Sequence, residues 1–240
     1  MTHLPTSEAA ALVSVIIPVH NGERYLQECL SSVVTQTWRP LDVIVVDDGS
    51  TDRSAAIAEG VEGVRIIRQA NAGVAAARNA GIAAARADFI ALLDQDDVWL
   101  PRKLEAQMEL LRASPRLDYV LTRQQRFVEP GHAVPSWIRP DQVDTVLGGF
   151  EPSAVLFRRA SLARVGPFAP RFVVASDAEW FFRATDAGLR TAFVEEPLLL
   201  RRIHDQNNSR FTERRTAEAR LIALESIRRK RRQTEISRTS

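Results

Sequence analysis

The sequence predicts an α/β fold, a Rossmann-like and mostly parallel central sheet flanked by helices. Three observations predict it. Short β-branched apolar runs recur at residues 12–19, 41–46 and 64–68, the pattern of strands buried on both faces. Helix-like stretches separate the runs, so each strand leads into a crossover, and such crossovers are right-handed. Each of the first two runs, and a fourth at 87–93, ends in a polar turn. Parallel connection gathers those turns along one edge of the sheet, where open α/β sheets bind ligands.

The elements follow in order. Residues 12–19 (LVSVIIPV) form a central strand, stopped by His20-Asn21-Gly22. Residues 23–36 follow as a helix with Leu26, Leu30, Val33 and Val34 on one face. Residues 41–46 are the second strand. The turn at 47–52 (DDGSTD) bends at Gly49, and Ser50 or Thr51 caps a helix running through Ala58. Residues 64–68 are a third strand and residues 73–86 an alanine-rich helix. The strand at 87–93 ends in Asp94, Asp96 and Asp97, and Pro101 opens a helix over 101–112, where its missing N–H costs nothing.

The second half is less regular. A strand is expected at 118–123. A Pro- and Gly-rich segment carrying Trp137 then reads as a long loop over 129–149, of the kind that serves as a lid. A strand at 153–157 precedes a short helix at 159–165, stopped by Gly166-Pro167. A helix over 177–187 ends at Gly188. Strands at 191–194 and 198–203, a polar loop at 204–209 and a terminal helix at 212–232 complete the chain.

Composition excludes several classes. Residues 228–232 (RRKRR) hold five positive charges, and without them the net charge of +2 becomes −3. The body is therefore acidic, and with no recognition motif a nucleic-acid partner is excluded. The single cysteine, Cys29, permits no intrachain disulfide and fits a reducing compartment as a buried small hydrophobe. No apolar run approaches the ~20 residues of a membrane span. Residues 1–11 lack a basic start and apolar core, so a disordered lead-in is expected there. No Gly-x-Gly-x-x-Gly follows the first strand and no phosphate-cradling loop with Lys is present, which argues against dinucleotide enzymes and P-loop NTPases.

The carboxylates carry the chemistry. Charges as close as Asp94, Asp96 and Asp97 repel and raise one another's pKa unless a cation neutralises them. A hard divalent ion does so, and commonly bridges carboxylates to phosphates. A lone Asp-x-Asp suits a solvated acidic turn equally well. An EF-hand is excluded because Trp99 stands where that loop needs Gly. The convergence of the turns at 18–21, 47–52 and 94–97 is what makes a candidate site.

With these pieces in order, the chain resembles glycosyltransferase family 2, whose catalytic domain has the GT-A fold. The matching segments are VSVIIPVHNGERYLQECLSSVVTQTW, DVIVVDDGSTD, NAGVAAARNAGI, ADFIALLDQDDVWLP, SAVLFRRASLARVGPF, SDAEWFFRATDAG and RRIHDQNNS, in the family's order over residues 13–209. The resemblance implies a metal-dependent, inverting transferase that moves one sugar from a nucleotide-diphosphate donor, a UDP-sugar, to an acceptor hydroxyl. By position, Pro18, Val19, His20, Asn21 and Asp48 would cradle the base, with Arg78 and Asp94 beside the nucleotide. Asp96 and His204 would hold Mn²⁺ or Mg²⁺. Asp177 would be the general base, with Glu179 in reserve because Ser176 stands where the family has an acid. Trp137 and Glu179 fall on the acceptor side.

The resemblance divides the chain into the lead-in 1–11, a nucleotide-sugar-binding half 12–115, an acceptor-binding and catalytic half 116–210, and a C-terminal helix and basic tail 211–240. The absence of Gln-x-x-Arg-Trp points to single addition. A nucleotide-sugar-binding protein without turnover is the alternative. The tail joins an apolar stripe of Leu221, Ile222, Leu224 and Ile227 to the basic run, which suits a solvated helix end or contact with anionic lipid. The expected acceptor is a saccharide or lipid-linked molecule, and the expected location cytoplasmic, including the inner membrane face.

Overall fold

One nine-stranded sheet runs through the computed structural model, which describes residues 10–239. Its centre is β1 (Val13–Val19), buried along its whole length. β1 pairs in parallel with β2 (Leu41–Asp47) on one side and β4 (Phe89–Leu92) on the other, and β2 pairs in parallel with β3 (Val64–Arg68). Beyond β4 the direction reverses. β8 (Val155–Arg158) runs antiparallel to both β4 and β6 (Tyr119–Phe127). β6 then pairs in parallel with β9 (Thr191–Arg202), and the two-residue β5 (Val98–Trp99) closes that edge. β7 (Val146–Leu147) adds to β6.

Helices cover the sheet as the crossovers require: α1 (Leu26–Val34), α2 (Ser54–Glu59), α3 (Val74–Ala84), α4 (Lys103–Ala113), α5 (Arg159–Val165), α6 (Ser176–Asp186) and α7 (Thr212–Thr239). The alanine-rich α3 lies close on the strands. A Cβ at Gly81 would stand 2.2 Å from Ile16 Cγ2, so only glycine fits this approach. On the other half, Tyr119, Phe157, Trp180 and Phe181 pack ring against ring. Trp180 is fully buried there and donates to Gly166 O at 2.9 Å.

The fold is the expected α/β arrangement, with differences that have physical causes. The strands expected at 191–194 and 198–203 are one strand, β9, because its ladder with β6 shifts register on both sides of Arg123 and absorbs the extra residues. Thr122 holds that irregularity, its hydroxyl donating to Glu196 O and accepting from Leu198 N. β5 went unforeseen, since two residues carry no period. The N-cap of α2 is Arg53, not Ser50 or Thr51, and Asp52 just before it accepts from Ser54 N through Oδ1. The segment 129–149 holds β7 and a 3₁₀ turn at Pro140–Gln142, so it is more ordered than a plain loop. The lead-in at 1–11 lies outside the described residues except for Ala10 and Ala11, and Ala11 O accepts from Trp38 Nε1.

Candidate functional site

The turns that follow β1, β2 and β4 are tied to one another by side chains. Asn21, at a left-handed φ of 50°, accepts from Thr51 N through Oδ1, and its own N–H donates to Ser50 Oγ. Gln95 clamps the β1 turn from the other side, accepting from His20 N at 2.9 Å and donating to His20 O at 3.2 Å. Asp47 fixes its own turn by accepting from Ser50 N. The result is a cleft of about 960 Å³ along the C-terminal strand ends, at the upper end of the size of small-molecule sites.

Ten of the twelve residues singled out in the sequence line this cleft: Pro18, Val19, His20, Asn21, Asp48, Arg78, Asp94, Asp96, Asp177 and His204. Trp137 and Glu179 do not. Trp137 belongs to the 129–149 segment and is half-buried outside the cleft wall. Glu179 is 2% exposed and bonds Arg183 Nε at 2.7 Å on its own helix, facing the core rather than a ligand. A second hollow of about 410 Å³ adjoins the cleft at Tyr25 and His204, walled by Glu129 and residues 132–135.

Asp48 is 3% exposed and receives three donors. Gln69 Nε2 and Ala72 N reach Oδ1, and Gly73 N reaches Oδ2. Its backbone carbonyl lies 2.9 Å from His20 Nδ1. The carboxylate is thus fixed by the turn that precedes α3, with lone pairs left over for a ligand donor.

The acidic turn after β4 is sorted by environment. Asp94 Oδ1 accepts from the buried Arg78 at 2.7 Å, and its N–H donates to Ser153 Oγ. Asp96 Oδ2 lies 2.9 Å from His204 Nε2 and accepts from Asn207 Nδ2 at 3.0 Å. Asp97 turns inward and accepts from Arg202 N. Burial pushes its carboxyl well above the usual range, the charges of Asp96 and Asp94 add to this, and Arg201 opposes it. Asp97 is thus buried, while Asp94 and Asp96 are only partly so at the cleft. Cys29 is buried directly beneath, its thiol donating to Asp94 O, and burial with the three carboxylates raises its pKa.

Arg202 secures this turn from behind and is a residue that sequence reading missed. Its guanidinium lies between the rings of Tyr25 and Phe127, at 4.6 and 4.7 Å. It donates to Asp96 O, Glu129 and Glu28. Arg201, the preceding residue, faces the cleft and bonds Glu151 at 2.6 Å and Ser209 at 2.9 Å. Burial lowers its pKa, but Glu151, Asp97, Asp94 and Asp96 more than offset this and leave it raised.

Asp177 lies at the start of α6 in the cleft wall. Burial raises its pKa, Arg78 pulls it down, and Glu151 and Asp94 push it up again, leaving it at about 6. A carboxylate poised there is suited to general-base work near neutral pH.

The donor set suits a divalent cation in part. Asp96 offers hard oxygen and His204 imidazole nitrogen, a pair that Mn²⁺ accepts. Among the described residues no group of three His, Cys, Asp or Glu side chains is arranged to hold an ion alone. An ion here would complete its shell with ligand oxygens and water, as Mg²⁺ and Mn²⁺ do on phosphates.

Residues 14–169 match the sequence profile described as Glycosyl transferase family 2. The glycosyltransferase YibD of Escherichia coli strain K12, itself uncharacterised, is 42% identical over 102 residues, which are 41% of this chain and 30% of YibD. The chain spans about a third of the length of the first curated relatives it matches. Two solved structures share its fold. Staphylococcus aureus TarS 1–349 in complex with UDP-GlcNAc has a TM-score of 0.70 at 22% identity, covering 89% of this chain and 66% of that one. The mannosyltransferase PcManGT of Pyrobaculum calidifontis, in complex with GDP-Man and Mn²⁺, has a TM-score of 0.72 at 20% identity, covering 94% and 66%. The architecture is the GT-A fold.

Proposed function

Because the chain belongs to glycosyl transferase family 2, we propose that it moves one sugar from a nucleotide-diphosphate donor to an acceptor hydroxyl with inversion at the anomeric carbon. The observation that carries this reading is one cleft shared by Asp48, Arg78, Asp94, Asp96, Asp177 and His204. Pro18, Val19, His20, Asn21 and Asp48 hold the base and ribose end, and Asp48 accepts from a ring N–H. Arg78 holds Asp94 in place beside the ribose.

Asp96 and His204 hold Mn²⁺ or Mg²⁺, which when bound supplies charge stabilisation for the departing diphosphate. Asp177, ionised above about pH 6, removes the proton of the acceptor hydroxyl. The freed oxygen pair forms the new glycosidic bond as the bond to the diphosphate breaks on the opposite face. The diphosphate leaves with that electron pair, and no covalent sugar–protein intermediate forms. Binding holds acceptor and donor in line, which removes most of the entropic cost of their meeting.

The acceptor is a saccharide or lipid-linked molecule. No helix among the described residues is long and apolar enough to cross a membrane. The apolar stripe of α7, with Leu221, Leu224 and Ile227 each about half exposed, and its basic end suit peripheral contact with anionic lipid at the cytoplasmic face. A panel of nucleotide sugars incubated with Mn²⁺ and mixed acceptors tests the activity. Release of nucleotide with one donor is expected, and no release with any donor or acceptor rejects the reading.

A further inference from the structure

One wall of the cleft carries two arginines that have no carboxylate partner among the described residues. Arg126 on β6 and Arg201 on β9 are direct cross-strand partners. Both line the cleft, together with Arg215 from α7. Arg201 is satisfied by Glu151 and Ser209. Arg126 is not. Its one acceptor is the Gln142 side-chain oxygen at 3.3 Å, and its buried Nε has none. The Arg215 guanidinium has no acceptor or carboxylate partner among the described residues.

Burial and the charges of Arg201 and Arg215 hold the Arg126 guanidinium below its ordinary pKa, with Glu151 alone opposing. A guanidinium does not give up its proton, so the repulsion persists until an anion arrives. Arg201 is paired with Glu151, which leaves the two charges of Arg126 and Arg215 as a surplus without a carboxylate partner among the described residues. A phosphate monoester, at about −1.5 to −2, matches that surplus, whereas a carboxylate cancels half of it. The planar N–H pairs of arginine also fit phosphate oxygens two at a time.

Position argues against the base and ribose as the ligand of this wall. Four strand spacings separate β6 from β2, which carries Asp48 to the cleft, about 19 Å along the sheet. The wall adjoins Asp177 instead, through Glu151, which acts on Asp177 and bonds Arg201. We propose that Arg126 and Arg215, backed by Arg201, form a subsite for a phosphate group on the acceptor. The glycosylated hydroxyl then belongs to a phosphate-bearing saccharide or lipid. This rests on the transferase reading above, and its test separates the two.

The full chain is titrated with glycerol 1-phosphate and, separately, with dodecyl phosphate below its micellar concentration. Each titration is made on nucleotide-free protein and on protein saturated with UDP and Mn²⁺. Phosphate binding is expected in both states. Arg126→Gln and Arg215→Gln should each weaken it about tenfold, the worth of a charge-assisted hydrogen bond, and leave UDP affinity unchanged. Arg126→Lys should recover part of the loss. Arg215 is exposed on α7, so its substitution tests the site without disturbing the fold. Preference for dodecyl phosphate supports a lipid-borne phosphate, and equal binding supports one on a soluble saccharide. Absence of phosphate binding to the UDP-loaded chain overturns the subsite, as does binding indifferent to both substitutions. An equal loss of UDP affinity in the variants also overturns it, and assigns the arginines to the donor diphosphate. If UDP itself does not bind while the arginine-dependent phosphate binding persists, the transferase reading fails and the anion site stands.

Discussion

The two walls of the cleft are built by different means. On the β1–β4 side every ligand-facing acid already has a protein partner. Asp48 takes three donors, Asp94 takes Arg78, and Asp96 takes His204 and Asn207. Asn21 and Gln95 lace the turns that carry them. On the β6–β9 side Arg126 and Arg215 lack such partners, and the neighbouring 129–149 segment is a short strand and a 3₁₀ turn rather than a set of interlocked turns. One wall is organised before any ligand arrives. The other holds two unpaired arginines in reserve, so in the proposed reading the donor side would be rigid and the acceptor side open to change.

That contrast can be broken most sharply at Asp96. Asp96→Ala should lower transfer by about 10³-fold or more, the scale of a lost metal contribution, and abolish metal-dependent nucleotide binding in calorimetry. Asp177→Asn should lower kcat by about 10²–10⁴-fold while nucleotide affinity stays intact; a parallel loss of affinity would move Asp177 out of the role of base. The pH profile sharpens the same point. As the proposed base, Asp177 would act when ionised, so kcat/KM should rise about tenfold per pH unit below about 6 and level off above it. A profile flat from pH 5 to 8 rules out Asp177 as the titrating base.

Smaller effects test the rigidity of the two sides. Gly81→Ala forces a methyl against Ile16 and Val46 under the first wall. It should cost about 1–3 kcal/mol in urea unfolding. Gly149→Ala, on the second side, meets only the flexible side chains of Gln124 and Glu151, 3.2 Å away at the nearest, and should cost less. Equal losses would show the walls to be equally rigid. The smallest effect is expected for Glu179→Gln, which should leave kcat unchanged because that side chain faces Arg183 in the core.

Much of the first wall was legible in the sequence, and little of the second. β1 and β2 announce themselves as apolar β-branched runs, and the acids stand where those runs stop, so topology alone brings Asp48 and Asp96 together. Arg126 and Arg201 gave no such signal. An arginine late in a mixed strand reads as a solvated residue, and the cross-strand pairing that faces one to the other is not written locally. Arg202 was hidden for the same reason, since its partners Glu28, Asp96 and Glu129 lie far away along the chain. Trp137 and Glu179 misled in the opposite direction: chemistry suited them to a site, and packing turned them elsewhere.

The irregular stretch of the β6–β9 ladder has a bearing on how this chemistry is inherited. Consecutive strand residues point to opposite faces, so Arg201 serves the cleft while Arg202 braces the acidic turn only for one phase of the strand. The surplus residues near Glu196 set that phase, and the Thr122 hydroxyl pins it. Deleting a single residue there would exchange the two arginines without altering either one. The site is encoded by a count of residues as much as by their kinds.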